Sequence, residues 1–173
     1  MTSPAGSVSI AQELLRTSLA DCAAFRTWCG AADAAAALLR IHHEAVTPPA
    51  TDAEYTAAEL AALRPHAIVW TVKHRWRQNA AGTHFETERG GQLQARLVQT
   101  VDPAIATDEG EIGRRFMNAV GTIVDQLFDL AGTAGYLAII DVEMDSPLRT
   151  HPDAVRDLGD VVMVDLNIDW GPF

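Results

Sequence analysis

The chain reads as an α+β fold: a four-stranded, mostly antiparallel sheet with one long amphipathic helix, about residues 108–131, and N-terminal helices packed on one face. Two observations predict it. Apolar residues recur with a helical period up to about residue 64 and again over 108–131, and with a period of two over 66–101 and 136–170. At 173 residues and 48% apolar content the chain can bury one substantial core. We therefore expect a single domain over 1–173, with a helical part, 1–64, followed by the sheet and long helix, 65–173.

The long helix is the strongest signal. Ile112, Phe116, Val120, Ile123, Leu127 and Leu130 fall on one side, flanked by Met117, Val124 and Phe128. Arg114, Arg115, Asn118, Thr122, Asp125, Gln126 and Asp129 occupy the other. Asp108 and Glu111 have capping-box spacing at its start, and Gly132 and Gly135 mark its end. Its length is roughly 36 Å at 1.5 Å per residue.

The N-terminal third reads as helices throughout. Ser9 and Gln12 open an amphipathic helix carrying Ile10, Leu14, Cys22 and Phe25 to about Cys29, where Gly30 interrupts. Asp33 caps an alanine-rich segment from Ala34 to about Glu44. Thr47 to Thr51 is a proline-containing loop, and a short helix from Thr51 to Leu63 stops at Pro65.

Four strands follow from alternation. The first has Ile68, Trp70, Val72, His74 and Trp76 on an apolar face that is expected to be core, against Val69, Thr71, Lys73, Arg75 and Arg77. Asn79 to Gly91 reads as a polar connection longer than a tight hairpin needs. Leu93, Ala95 and Leu97 mark the second strand, ending near Val101. Tyr136 to Met144 is the third, with Ala138, Ile140 and Val142 on one side, and Ser146 to Gly159 is expected to be a loop with a helical turn after Pro152. Asp160 to Trp170 is the fourth, with Val162, Val164, Leu166, Ile168 and Trp170 inward.

The outward face of this sheet is sorted by charge. Lys73, Arg75, Arg77 and Arg96 come from the first two strands; Asp141, Glu143, Asp165 and Asp169 come from the last two. Cross-strand pairing accounts for them, at ~0.2–1 kcal/mol per pair. The net charge of −10 is itself uneven: residues 1–101 balance nine acids with nine bases, and residues 102–173 set fourteen acids against four bases. Such a surface opposes nucleic-acid phosphates and favours a basic partner, so no sequence-specific nucleic-acid binding is expected. No apolar run approaches the ~18 residues of a membrane span, and the N-terminus lacks the pattern of a secretory signal. Cys22 and Cys29 are the only cysteines and read as buried thiols in a protein folded in a reducing cytoplasm.

Catalytic patterns are weak. Asp165-x-Asn167-x-Asp169 has a glycine one place late for a calcium loop and no closing glutamate. Asp141, Glu143, Asp165 and Asp169 are the only set that would suit a small metal-dependent hydrolase. His42, His43 and Glu44 form a ligand-like run, but adjacent helical histidines point ~100° apart. No nucleophile elbow, phosphate loop or paired catalytic cysteine is present. We expect no enzyme activity, no metal and no cofactor. Asp125 and Asp129, a like-charge i, i+4 pair, would be relieved by an arginine such as Arg75 or Arg77 from another subunit.

The order of fold signals resembles the bacteriophage tail terminator, or tail-completion (minor tail), family. It is carried by Phe25-Arg26, by Arg64 to Val69 entering a strand, by Gly90-Gly91 opening the strand to Val98, and by Ile123-Val124-Asp125-Gln126-Leu127 within the long helix. Gly135-Tyr136-Leu137-Ala138-Ile139 and the terminal Asp169-Trp170-Gly171 complete it. These are marks of fold and none is catalytic.

The resemblance implies a homo-oligomeric ring, a hexamer, that caps the tail tube and joins it to the neck or head. Its partners would be further copies of itself, the tail tube protein and a neck or head-completion protein. It would fold in the host cytoplasm and reside in the virion tail. The Asn79–Gly91 connection would be the arm that reaches a neighbour, adding His84 and Arg89 to Arg75, Arg77, Asp125 and Asp129 as interface residues. A neck, head-completion or other minor tail protein is the alternative within the structural class.

Overall fold

A computed structural model describes residues 7–43, 64–81, 84–150 and 160–171. In chain order the elements are α1 (Ser7–Asp21), α2 (Ala23–Cys29), α3 (Ala34–Leu38), β1 (Ile41–His43), β2 (His66–Ala81) and β3 (His84–Thr100). A 3-10 turn (Pro103–Ile105), α4 (Glu109–Leu130), β4 (Ile139–Met144), β5 (Leu148–Thr150) and β6 (Val161–Trp170) complete them. The fold is α+β, and among the described residues its sheet has six strands where four were expected. Their order is β1-β2-β3-β6-β4, with β5 paired to β6 on the same side as β4. β1 runs parallel to β2 and all other described pairs are antiparallel.

α4 forms as its patterning dictates. Asp108 Oδ1 accepts the Glu111 N–H at 2.9 Å and anchors the first turn. Ile112, Phe116, Val120, Ile123 and Leu127 are buried, whereas Phe128 at the edge of the stripe is 41% exposed. The helical layer covers one face of the sheet, where Leu15, Leu19, Phe25, Phe116 and Ile123 join Leu93, Leu97, Val164, Leu166 and Ile168 in one core. Polar links hold the layer together. Gln126 Oε1 accepts the Ala24 N–H at 2.8 Å and the Cys22 thiol at 3.3 Å. Ser18 Oγ accepts the Leu137 N–H, so the chain leaving α4 is tied to α1. At the other end, Arg149 on β5 donates to both oxygens of Asp160, to the Ala106 carbonyl and to Glu109.

Several expectations are corrected. The first helix breaks at Cys22, whose extended backbone caps α2 through its sulfur, accepting from the Phe25 N–H. Both thiols are buried and free, and burial raises each pKa. The Asp33 cap is present, but α3 ends at Leu38 and residues 41–43 are a strand. The alanines that favour helix end at Ala37, and beyond them Ile41 seats in the core against the edge of β2 as strand. Three-residue strands such as β1 and β5, the latter inside the expected Ser146–Gly159 loop, are too short to show a period. The expected helix Thr51–Leu63 and the turn after Pro152 lie outside the described residues.

The Asn79–Gly91 connection is not a loop: its described residues extend β2 and β3 as a paired ladder from Arg75↔Gly90 to Ala81↔His84. Backbone pairing needs no apolar alternation, so polar residues continue the strands. The facing of β2 is also reversed at its start. Ala67 and Val69 are the core residues, at 0% exposure, while Ile68 and Trp70 sit opposite Arg96 and Gln94 on the open face. Close approach of α1, which bonds Thr71 through Gln12 at 2.9 Å, favours the smaller side chains inward. A bulge between Thr71 and Lys73 then changes the phase, leaving Val72 exposed; Trp76 falls on the helical face but lies beyond the end of β6 and is exposed as well. β4 likewise starts at Ile139, after the expected Tyr136, and an irregularity between Ile139 and Asp141 leaves Ile140 67% exposed.

Candidate assembly surface

Cross-strand partners share a face, so the register sorts the charges. On the open face, Lys73, Arg75 and Arg77 follow one another along β2; Gln92, Gln94 and Arg96 lie on β3; Asp165, Asn167 and Asp169 lie on β6; Asp141 and Glu143 lie on β4. The expected charge-sorted face is present. Its centre is satisfied internally: Arg96 donates two bonds of 2.7 Å to Asp165, and Gln92 donates to Asp169 at 3.0 Å. The Arg96 guanidinium also lies 5.6 Å from the Trp70 ring centroid, an exposed-face cation–π contact. The hydrogen bonds that Arg96 donates to Asp165 raise the Arg96 pKa.

The flanks are not satisfied in this way. Lys73, Arg75, Arg77, Asp141, Glu143 and Asp145 are exposed, and among the described residues none of them makes an ion pair. Asp141 stands directly opposite Asp169, a like-charge arrangement that is unfavourable in an isolated sheet.

The ladder between β2 and β3 outruns the sheet. β6 ends at Trp170, opposite Gly91, and beyond that point, among the described residues, β2 and β3 pair only with each other as a two-stranded ribbon, roughly 20 Å long at 3.3–3.4 Å per residue. Two glycines allow its root to form. A Cβ on Gly91 would lie 2.1 Å from the Lys73 carbonyl oxygen, and one on Gly90 would lie 3.0 Å from that of Trp170. At this root is a cleft of ≈ 340 Å³, lined by Arg75, Arg77, Arg89, Asp169, Trp170 and Ile140 among others. Beside it, His74 packs between Trp76 and Trp170, at 4.3 and 5.2 Å between ring centroids. Burial, reinforced by the charge of Arg89, lowers the His74 pKa.

The residues expected to form an interface are thus partly brought together. Arg75, Arg77 and Arg89 converge on the ribbon root, with Arg75 and Arg77 on the open face and Arg89, opposite Trp76, on the helical face. His84 opens β3 near the ribbon tip, paired through its backbone with Ala81. Asp125 and Asp129 are exposed on α4, in the helical layer, away from Arg75 and Arg77. The exposed apolar residues of the β4–β5 side, Ile140, Met144 and Leu148, were missed; alternation assigned Ile140 inward, and a bulge leaves no sequence period to reveal itself.

The four strand acids do not converge as a metal centre. Asp165 and Asp169 are engaged by Arg96 and Gln92, and no group of three or more His, Cys, Asp or Glu residues suited to a metal occurs among the described residues. His42 and His43, in β1, point to opposite sides of a strand. His43 meets Glu13 at 2.8 Å, and His42 stacks edgewise on His66. Among the described residues no helix is long and apolar enough to cross a membrane. No protein-family model and no curated protein matches this chain.

Proposed function

We propose that the chain is a structural subunit of a bacteriophage or prophage virion, similar to a tail terminator, which assembles with copies of itself into a ring that caps the tail tube and meets the neck or head. The observation that carries this reading is the β2–β3 ribbon. A two-stranded ribbon standing clear of its sheet is marginal in water by itself and gains stability when a neighbour covers it. Arg75, Arg77 and Arg89 at its root and His84 near its tip are the arm's contribution to that contact. Asp125 and Asp129, on the surface of the helical layer, offer a second patch to a neighbour on the side of the sheet that Arg89 shares.

The function is mechanical. A head-to-tail contact closes into a ring when the rotation between copies divides a full turn, and a closed ring ends polymerisation of the tube beneath it. Excess negative charge in the second half of the chain repels DNA passing through the lumen. A neck, head-completion or other minor tail protein would use the same surfaces against different rings. Negative-stain electron microscopy of the purified chain tests the proposal: closed rings, six-fold by the resemblance, are expected, and dispersed single subunits at all concentrations would overturn it.

A further inference from the structure

The cleft at the ribbon root is mixed in character. Its floor is bare: a Cβ on Gly90 would lie 3.9 Å from the Gly171 Cα, so two residues without side chains meet there. One wall is cationic, with Arg75 and Arg77 two residues apart on the same face of β2 and Arg89 also in the lining. Neither Arg75 nor Arg77 makes an ion pair among the described residues. The other wall is apolar. Ile140 is 67% exposed, yet its side chain lies over Gly171, where a Cβ would meet its Cδ1 at 2.9 Å. Glu88 and Asp169 complete the lining. A polyanion such as nucleic acid would be opposed by those two carboxylates, whereas a short segment carrying both acids and an apolar side chain suits both walls.

The chain itself exposes such a segment. Residues 143–148, Glu-Met-Asp-Ser-Pro-Leu, form the corner between β4 and β5 and are exposed at every position, Leu148 to 60%. Glu143 stands opposite Asn167, Asp145 beside Asp165 and Leu148 opposite Met163, so two acids and one apolar side chain share the open face. Neither acid makes an ion pair among the described residues. The corner is already ordered. Asp145 donates its N–H to the Asp165 carbonyl at 3.0 Å, and Arg149 anchors the end of the corner to Asp160. An ordered segment loses little freedom on docking. One chain cannot join its own two patches, because Asp165 lies five residues along β6 from Trp170 at the cleft, about 17 Å.

We infer that the acidic β4–β5 corner of one copy seats in the arginine cleft of the next, Glu143 and Asp145 meeting Arg75 and Arg77, with Leu148 against Ile140. The spacing agrees, since each pair of charges is two residues apart on one face of its strand. The guanidinium fork matches a carboxylate, and the apolar wall excludes water from one side of the contact. The two patches are unlike, so the contact is heterologous and repeats head to tail from copy to copy. This inference rests on the ring reading and names the surfaces that build the ring.

Charge reversal with mixing tests it. One variant carries Arg75→Glu with Arg77→Glu, the other Glu143→Lys with Asp145→Lys, and all four positions are exposed. Each variant alone sets like charges against each other at every joint and is expected to raise the apparent dissociation constant of the assembly by ~100-fold or more. Mixed in equal amounts, each variant's cleft meets a corner of opposite charge, and assemblies of the unmodified size return. Recovery on mixing requires both variants to be folded, so it separates a lost contact from a lost fold. Three results would overturn the pairing and leave the ring reading intact. Both variants could assemble unchanged; both could fail and stay apart when mixed; or the arginine variant alone could fail, which gives the cleft another occupant. Absence of any assembly by the unmodified chain would overturn both readings.

Discussion

Arg96 and Asp165 stand directly opposite each other on β3 and β6 and share two parallel hydrogen bonds of 2.7 Å, the guanidinium fork matching the carboxylate. The pair crosses the centre of the open face, where bases from the first hairpin meet acids from the last strands. Arg96 is 40% exposed and Asp165 19%, so water screens the interaction substantially. Arg96→Ala is expected to lower the unfolding free energy by about 1 kcal/mol, read as a lower urea midpoint at unchanged m. Arg96→Lys recovers only part, because a lysine cannot bridge both oxygens.

Gly91 is required by space. Its φ is not positive, yet any Cβ there would meet the Lys73 carbonyl at 2.1 Å and force β2 and β3 apart at the bulge. Gly91→Ala is expected to cost ~1–3 kcal/mol as an overpacking change. Gly113, within α4, has open space where its Cβ would point. Gly113→Ala is expected to stabilise by ~0.5–1 kcal/mol through helix propensity. Thermal unfolding of the two variants in parallel should move in opposite directions.

His42 makes the β1 edge sensitive to acid. Burial, with the neighbouring Arg16 and Arg40 charges, holds its pKa below the ordinary 6.5, and His74 is lowered chiefly by burial too. The folded chain thus keeps these rings neutral while the unfolded chain takes up protons first. Their contribution is complete above the ordinary value and is lost as pH falls from there through the lower folded values. Stability should decline between neutrality and about pH 5. His42→Gln should flatten part of that slope; a slope unchanged by the substitution contradicts this assignment.

The parts of this fold that were legible in the sequence are those in which a period runs uninterrupted. Ile112 to Leu127 in α4, Leu93 to Leu97 in β3 and Val162 to Trp170 in β6 sit in the core as their spacing predicts. The rest hid behind local breaks of period. A bulge before Asp141 turns Ile140 out of the core, and Trp76, though on the helical face, lies beyond the end of β6 on the ribbon, so both look like core residues and are exposed. The ribbon was illegible for a related reason: its pairing is carried by backbone, and its residues alternate in nothing. Arg75, Arg77 and Arg89 were readable as a basic group, but their convergence on one cleft depends on a register that no single strand reveals.

Asp125 and Asp129 lie one turn apart on the exposed surface of α4. Removing both charges should leave the fold slightly more stable, by ~0.2–0.5 kcal/mol, since a like-charge pair is relieved. If a neighbour's arginine meets them in the assembly, the double alanine variant should also associate more weakly. An unchanged sedimentation coefficient would retire this patch as an interface.

Sedimentation equilibrium of the full chain over a broad concentration range tests the central claim most directly. The account predicts a closed species whose mass is a fixed multiple of the 18.6 kDa chain, six by the resemblance, with no larger species as concentration rises. A mass that stays at that of one chain throughout, or that climbs without limit, would contradict it.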